Sequence, residues 1–90
     1  MVGKTKSGFK YNIDERIKSD WRMLEAIADS ESSDASIQLK GVKNLVDLLL
    51  GDNKATLYEH VKKNNDGYIP TMAVMAEITD MLEGNKPLKN

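Results

Sequence analysis

Phe9, Tyr11 and Ile13 alternate with Lys10 and Asn12. A period of two marks a short extended segment with one buried side. Three apolar residues cannot sustain a sheet alone, so this segment must lie across helices or pair with one other short strand. The pattern then changes. Ile17, Trp21, Leu24, Ile27 and Ala28 follow at helical spacing and form one stripe. Asp14 can cap a helix that begins at Glu15, and Ser19 or Asp20 offers a later start. The polar run Ser30-Glu31-Ser32-Ser33-Asp34 reads as a loop whose last residues cap a second helix over about 35–50. Leu39, Val42, Leu45, Val46 and Leu49 are its expected buried stripe. Gly41 sits mid-helix, where it costs about 1 kcal/mol relative to alanine. It marks a point where another helix would cross closely. Gly51 is expected to end the helix in the left-handed conformation.

A third, shorter helix is expected over about 54–63, capped by Asp52 or Asn53, with Leu57, Tyr58 and Val61 on its apolar side. Asn64-Asn65-Asp66-Gly67 is a turn. Tyr68 and Ile69 are extended, because Pro70 disfavours helical geometry in the residue before it. They are the expected strand partner of residues 9–13. The fourth helix runs from Thr71 or Met72 to Glu83, with Met72, Met75, Ile78 and Leu82 in one stripe and Val74 and Met81 beside it. Gly84 ends it. The expected fold class is therefore mainly α: a small single-domain bundle of about four helices over residues 9–83. A minimal two-stranded pairing of 9–13 with 68–69 completes it, between flexible tails at 1–8 and 84–90.

Composition narrows the function. The charges are uneven: residues 9–83 hold nine basic against fourteen acidic side chains, a net of −5, while Lys4, Lys6, Lys86 and Lys89 lie in the tails. A nucleic-acid binder needs a basic face to neutralise phosphates, so an acidic body argues against DNA or RNA. There is no cysteine, which removes disulfides, thiol catalysis and cysteine-held zinc together. No apolar run approaches the ~20 residues needed to cross a bilayer, and no apolar segment follows the lysines of residues 1–8 as a signal peptide would require. The expected location is the cytoplasm.

Candidate chemistry is sparse. Asn64, Asp66, Gly67 and Ile69 occupy the third, fifth, sixth and eighth places of a calcium loop. However, Lys62 stands where the first carboxylate belongs and Ala73 where the bidentate glutamate belongs. A plain turn is the better reading, and no metal or cofactor is expected. His60 is the single histidine, with no second ligand to share a metal, and reads as a partly exposed structural residue. Asp80 and Glu83 read as a solvated helix face. No phosphate loop or nucleophile motif is present, so the expectation is a protein that is not an enzyme. Methionine is abundant, with Met72, Met75 and Met81 on one helix. Methionine suits a surface that packs against a partner, although at helical spacing it is more often core. Trp21 is a further candidate anchor. Trp21, Met72, Met75 and Met81 are the candidate partner-binding residues.

Gly8-Phe9-Lys10-Tyr11-Asn12-Ile13-Asp14, followed by Ser19-Asp20-Trp21-Arg22-Met23-Leu24-Glu25-Ala26-Ile27-Ala28, resembles the opening of small tail assembly chaperones of long-tailed (siphovirus-type) phages and prophages. The layout of the second half is similar: a helix ending Leu48-Leu49-Leu50-Gly51, a short helix, Asp66-Gly67-Tyr68-Ile69-Pro70, and a last helix. The resemblance covers roughly residues 8–83. It implies a non-enzymatic protein that binds the tape measure protein in the bacterial host cytoplasm. There it would keep that protein soluble while the tail tube assembles, with the tail tube protein as a further partner. The family has no catalytic residue to carry over. The alternative is a helical protein–protein interaction adaptor or regulator unrelated to phage. A cation sensor built on residues 62–73 stands behind both.

Overall fold

The computed structural model describes residues 2–84; the expected tail at 85–90 lies outside them. The described chain is mainly α. Its elements run β1 (Val2–Lys4), β2 (Lys10–Asn12), a 3-10 turn (Glu15–Ser19), α1 (Trp21–Ser30), α2 (Ala35–Leu50), a second 3-10 turn (Gly51–Asn53), α3 (Lys54–Asn64) and α4 (Thr71–Gly84). Their contacts fall into two compact units. One is Ile13–Lys54, and the other joins the chain through Asn12 to the chain from Ala55 onward.

The unit Ile13–Lys54 is a helical hairpin with two capped entries. Asp14 accepts from the Arg16 amide at 2.9 Å and opens the 3-10 turn, and Asp20 accepts from the Arg22 amide at 2.8 Å and opens α1. Both expected start points are therefore used. Asp20 itself is extended (φ −76°, ψ 130°), which separates the two elements. In each case the arginine two residues on folds back onto the same carboxylate, with Nη2 at 2.6 Å from Asp14 and 2.7 Å from Asp20. These charge-assisted forks, with the capped amides, hold both carboxyls down at about 2. Asp34 caps α2 through the amides of Ser36 and Ile37.

Gly41 is where α1 meets α2. A Cβ there would collide with the Ser30 amide nitrogen and lie 2.6 Å from the Asp29 carbonyl carbon and 2.8 Å from the Ala26 oxygen. The expected close crossing is present, and it decides which way α1 faces. Backbones this close tolerate only small side chains between them, so Ala26 and Ser30 must turn inward. Met23 and Ala26 are the buried residues of α1, against Val42, Leu45, Val46, Leu49 and Leu50 of α2. The expected α1 stripe is corrected accordingly: Trp21, Leu24 and Ala28 face outward. Leu39 is exposed as well. Gly51 ends α2 at φ 54°, as expected of glycine, but with ψ −125°, outside the left-handed helical well. The chain turns there into the 3-10 segment that leads to α3.

In the other unit the N-terminal residues are part of the fold. β1 and β2 are antiparallel, with Val2 opposite Asn12, Gly3 opposite Tyr11 and Lys4 opposite Lys10. Both the tail expected at 1–8 and the pairing expected with 68–69 are corrected by this hairpin. Its connection is short: the Thr5 amide donates to the Phe9 oxygen at 2.9 Å, and Gly8 takes φ 98°. Closing so short a loop costs less chain entropy than bringing residues 9–13 to a strand much later in the sequence. Gly3 leaves room for the Tyr11 ring, which would have to shift if a Cβ projected there. Phe9 and Tyr11 are buried, as their alternation implies, and so are Leu57 and Val61 of α3 and Ile78 and Met81 of α4.

The Asn65-Asp66-Gly67 segment is a helix stop. Asp66 and Gly67 both have positive φ, the Gly67 amide donates to the Lys62 oxygen at 2.9 Å, and Asn65 Nδ2 donates to the Val61 oxygen at 2.8 Å. This wraps the last carbonyls of α3.

Candidate functional site

Two places in the structure invite a functional reading: a polar knot under the hairpin turn, and the apolar side chains left in solvent. The knot is built from the turn after β1 and from α3 and α4. Glu77 is only 6% exposed, with Ile78 beside it and Met81 one turn on. Thr5 Oγ1 donates to its Oε1 at 2.7 Å and Ser7 Oγ to its Oε2 at 2.7 Å. His60 Nε2 lies 2.8 Å from Ser7 Oγ and 3.2 Å from Asn64 Nδ2. The His60 ring sits 5.5 Å from that of Phe9, tilted by 54°. Thr5 Oγ1 also accepts from the Phe9 amide at 3.1 Å, and the Lys6 amide donates to Asp80 at 3.0 Å.

The roles follow from the count of protons. Ser7 has one hydroxyl proton, and Glu77 receives it, so toward His60 the Ser7 oxygen can only accept; that contact needs the tautomer with a proton on Nε2, and the contact from Asn64 Nδ2 needs the other. A serine nucleophile needs the opposite arrangement, with its proton directed to the imidazole and the acid on the far ring nitrogen. In this knot the carboxylate touches the serine instead. The geometry fastens the hairpin turn to α3 and α4, and His60 is partly exposed, as its position implies.

Val2, Ile37 and Leu39 are exposed singly or in a pair, and the other large apolar side chains in solvent form two groups, one in each unit. On α1, Trp21 is 70% and Leu24 53% exposed, with exposed Ala28 one turn beyond. At the entry to α4, Tyr68 and Met72 are each 74% exposed, and Ile69 is exposed between them. Pro70 fixes this entry: its carbonyl accepts from the amides of Ala73 and Val74, which starts the helix and leaves Tyr68 and Ile69 outside it. Sequence reasoning placed four candidate residues at a partner surface. Trp21 and Met72 are on the surface, Met75 is half-buried, and Met81 is fully buried in the core. Trp21 belongs to one unit and the methionines to the other.

Comparison with known protein families, curated proteins and solved structures finds no match to this chain. The surface must therefore be read on its own chemistry. Among the described residues, no group of three or more histidine, cysteine, aspartate or glutamate side chains could hold a metal ion. No helix among them is long and apolar enough to cross a membrane. A cleft beside His60 is lined by Phe9, Lys10, Glu59 and Lys63, a mixed set of charges.

Sequence reasoning missed Thr5, Ser7 and Glu77. One signal was present for the last of these. Glu77 is three residues after Val74, one before Ile78 and four before Met81, on the apolar side of its own helix. A carboxylate in that position needs donors, and the hydroxyls of Thr5 and Ser7 supply them.

Proposed function

We propose that this protein is a non-enzymatic assembly chaperone of a phage or prophage tail. It binds the tape measure protein and keeps it soluble while the tail tube forms, in the cytoplasm of the bacterial host. One observation carries the reading: Tyr68, Ile69 and Met72 stand in solvent together at the start of α4. A wholly independent domain gains nothing from leaving two large side chains three-quarters exposed within five residues of chain. A partner that covers them does. The tape measure is a long amphipathic helix, and a helical protein can cover such a stripe by reading apolar residues on successive turns. Methionine at the contact tolerates a stripe whose side chains vary along its length. The net charge of −5 over residues 9–83 keeps a coated complex dispersed. The resemblance of residues 8–83 to tail assembly chaperones supplies the identity of the partner.

The test is co-expression with a helical segment of a tape measure protein. The parent chain should keep that segment soluble and co-purify with it. Met72→Glu should lose it, with the helical circular dichroism unchanged. If the parent neither binds nor solubilises the segment, the phage reading fails and the helical adaptor takes its place. If Met72→Glu binds as well as the parent, the α4 entry is not the contact.

A further inference from the structure

Asp66 and Gly67 close the end of α3, and both are exposed. They are the single place in the chain where aspartate or asparagine is followed directly by glycine. The backbone nitrogen after an aspartate can attack the side-chain carboxyl carbon and close a five-membered ring. A side chain on the following residue crowds that approach, and glycine has none. We propose that Asp66–Gly67 is a covalent modification site, at which isoaspartate forms when the helix stop opens.

The step needs no co-reactant but water. The Gly67 nitrogen forms a bond to Cγ of Asp66. The nitrogen gives up its proton, the protonated carboxyl gives up its hydroxyl, and the two leave together as water. The ring so formed is a succinimide. Water then adds back at one of its two carbonyl carbons. Addition at Cγ restores aspartate. Addition at the former main-chain carbonyl leaves the chain running through the side chain, with an extra methylene in the backbone and a free carboxylate beside it. Nothing is oxidised or reduced.

The folded turn holds this step back. The nitrogen that must lose its proton donates it to the Lys62 oxygen at 2.9 Å. The Tyr68 amide donates to the Asn65 oxygen at 3.0 Å, and Asn65 Nδ2 donates to the Val61 oxygen at 2.8 Å. Together these bonds keep Asp66 and Gly67 at φ 54° and 87°. Attack therefore requires a local opening of the turn, an event distinct from global unfolding. Each bond contributes about 0.5–1.5 kcal/mol, so the open form is less than about a tenth of the population. Once formed, isoaspartate opposes re-closing, because the added methylene moves the Gly67 amide out of register with Lys62. It also displaces Tyr68, which leads into α4. This chemistry goes beyond the chaperone reading and does not rest on it.

The test is to age the full chain in mildly acidic buffer, folded and unfolded in urea, and to follow isoaspartate at each position. Peptide mapping locates it, and methylation by a protein-isoaspartate methyltransferase counts it. In urea, isoaspartate should accumulate at position 66 ahead of every other aspartate. In the folded chain it should form at least about tenfold more slowly. Asn65→Ala removes the bond to Val61. It should speed the reaction of the folded chain by about fivefold, the worth of one net hydrogen bond. The helical signal and the rate in urea should stay as in the parent. An Asp66 that stays unmodified in urea overturns the proposal, and so do equal rates in the folded and unfolded chains. A folded Asn65→Ala chain that reacts no faster than the parent overturns it as well, because the helix stop is then not what holds the reaction back.

Discussion

Thr5 Oγ1 donates a 2.7 Å hydrogen bond to Oε1 of Glu77 from the far end of the chain, and both side chains are buried. A carboxylate out of water is held only by its donors. The two hydroxyls of the N-terminal turn therefore make the interior position of Glu77 tolerable, and Glu77 in turn keeps the turn in place.

Removing Glu77 should destabilise the protein through what it leaves behind. Glu77→Ala strands the Thr5 and Ser7 hydroxyls and should cost about 1–3 kcal/mol. Glu77→Gln keeps one acceptor and should cost less. A Thr5→Val, Glu77→Leu double variant should lose less than the sum of the two single changes, because neither partner is then left without the other. Urea unfolding measures all of them. A Glu77→Ala variant within about 0.5 kcal/mol of the parent would show that the knot contributes little.

Gly41 sets two effects against each other. Alanine in a helix interior is about 1 kcal/mol better than glycine. Here its Cβ would run into the backbone of Ser30, with Asp29 and Ala26 close by. Backbone atoms cannot swing aside as a flexible side chain can. Overpacking of this kind costs about 1–3 kcal/mol, so Gly41→Ala should lower the melting temperature, and Gly41→Val should lower it further. A rise in melting temperature with alanine would mean that the two helices separate without cost.

The same glycine explains what could and could not be read from the residues alone. Helix ends were legible at Asp14, Asp20, Asp34, Gly51 and Gly67 because capping and positive φ act within a few residues of chain. The mainly helical class follows from those ends and from the apolar spacing between them. The inward face of α1 was not legible, because its pattern allows two stripes. Trp21, Leu24 and Ala28 make one, and Met23, Ala26 and Ser30 make the other. Only the approach to Gly41, a contact with another helix, selects the second. The partner of β2 was hidden for a similar reason: Val2, Gly3 and Lys4 show no apolar alternation, and Gly3 matters only once Tyr11 lies across it. Trp21 and Met72 were found as surface candidates by residue type. Met81, of the same type, went to the core because position on the helix outweighs chemistry.

Acid should act on Asp20 in a defined window. Its carboxyl is held at about 2, against an ordinary 3.8, first by the Arg22 side chain and then by the Arg22 amide. A folded-state value below the unfolded one means that the unfolded chain binds the proton more readily. The stabilisation from this cap is thus complete above pH 3.8 and fades as pH falls toward 2. Carboxyl titration by NMR should give the low value in the parent chain. In Arg22→Gln the value should rise but stay below 3.8, because the amide at position 22 still donates. An unchanged value in that variant would remove the guanidinium as the main cause.

Met72 and Met81 separate binding from folding within one helix. Met72 is 74% exposed and Met81 is 0% exposed. Truncating a buried methionine to alanine costs about 2–5 kcal/mol, from lost burial and from the cavity left behind. Met81→Ala should therefore unfold at markedly lower urea concentration. Exposed positions away from caps and close contacts usually change stability by no more than about 0.5 kcal/mol, so Met72→Ala should leave the urea midpoint near that of the parent. Under the proposed function the order reverses for partner binding. Met72→Ala should weaken capture of a tape measure helix, while Met81→Ala should bind normally at temperatures where it remains folded. If both variants lose stability and binding together, the α4 entry is part of the folded core in solution, and the contact surface must be sought elsewhere on the chain.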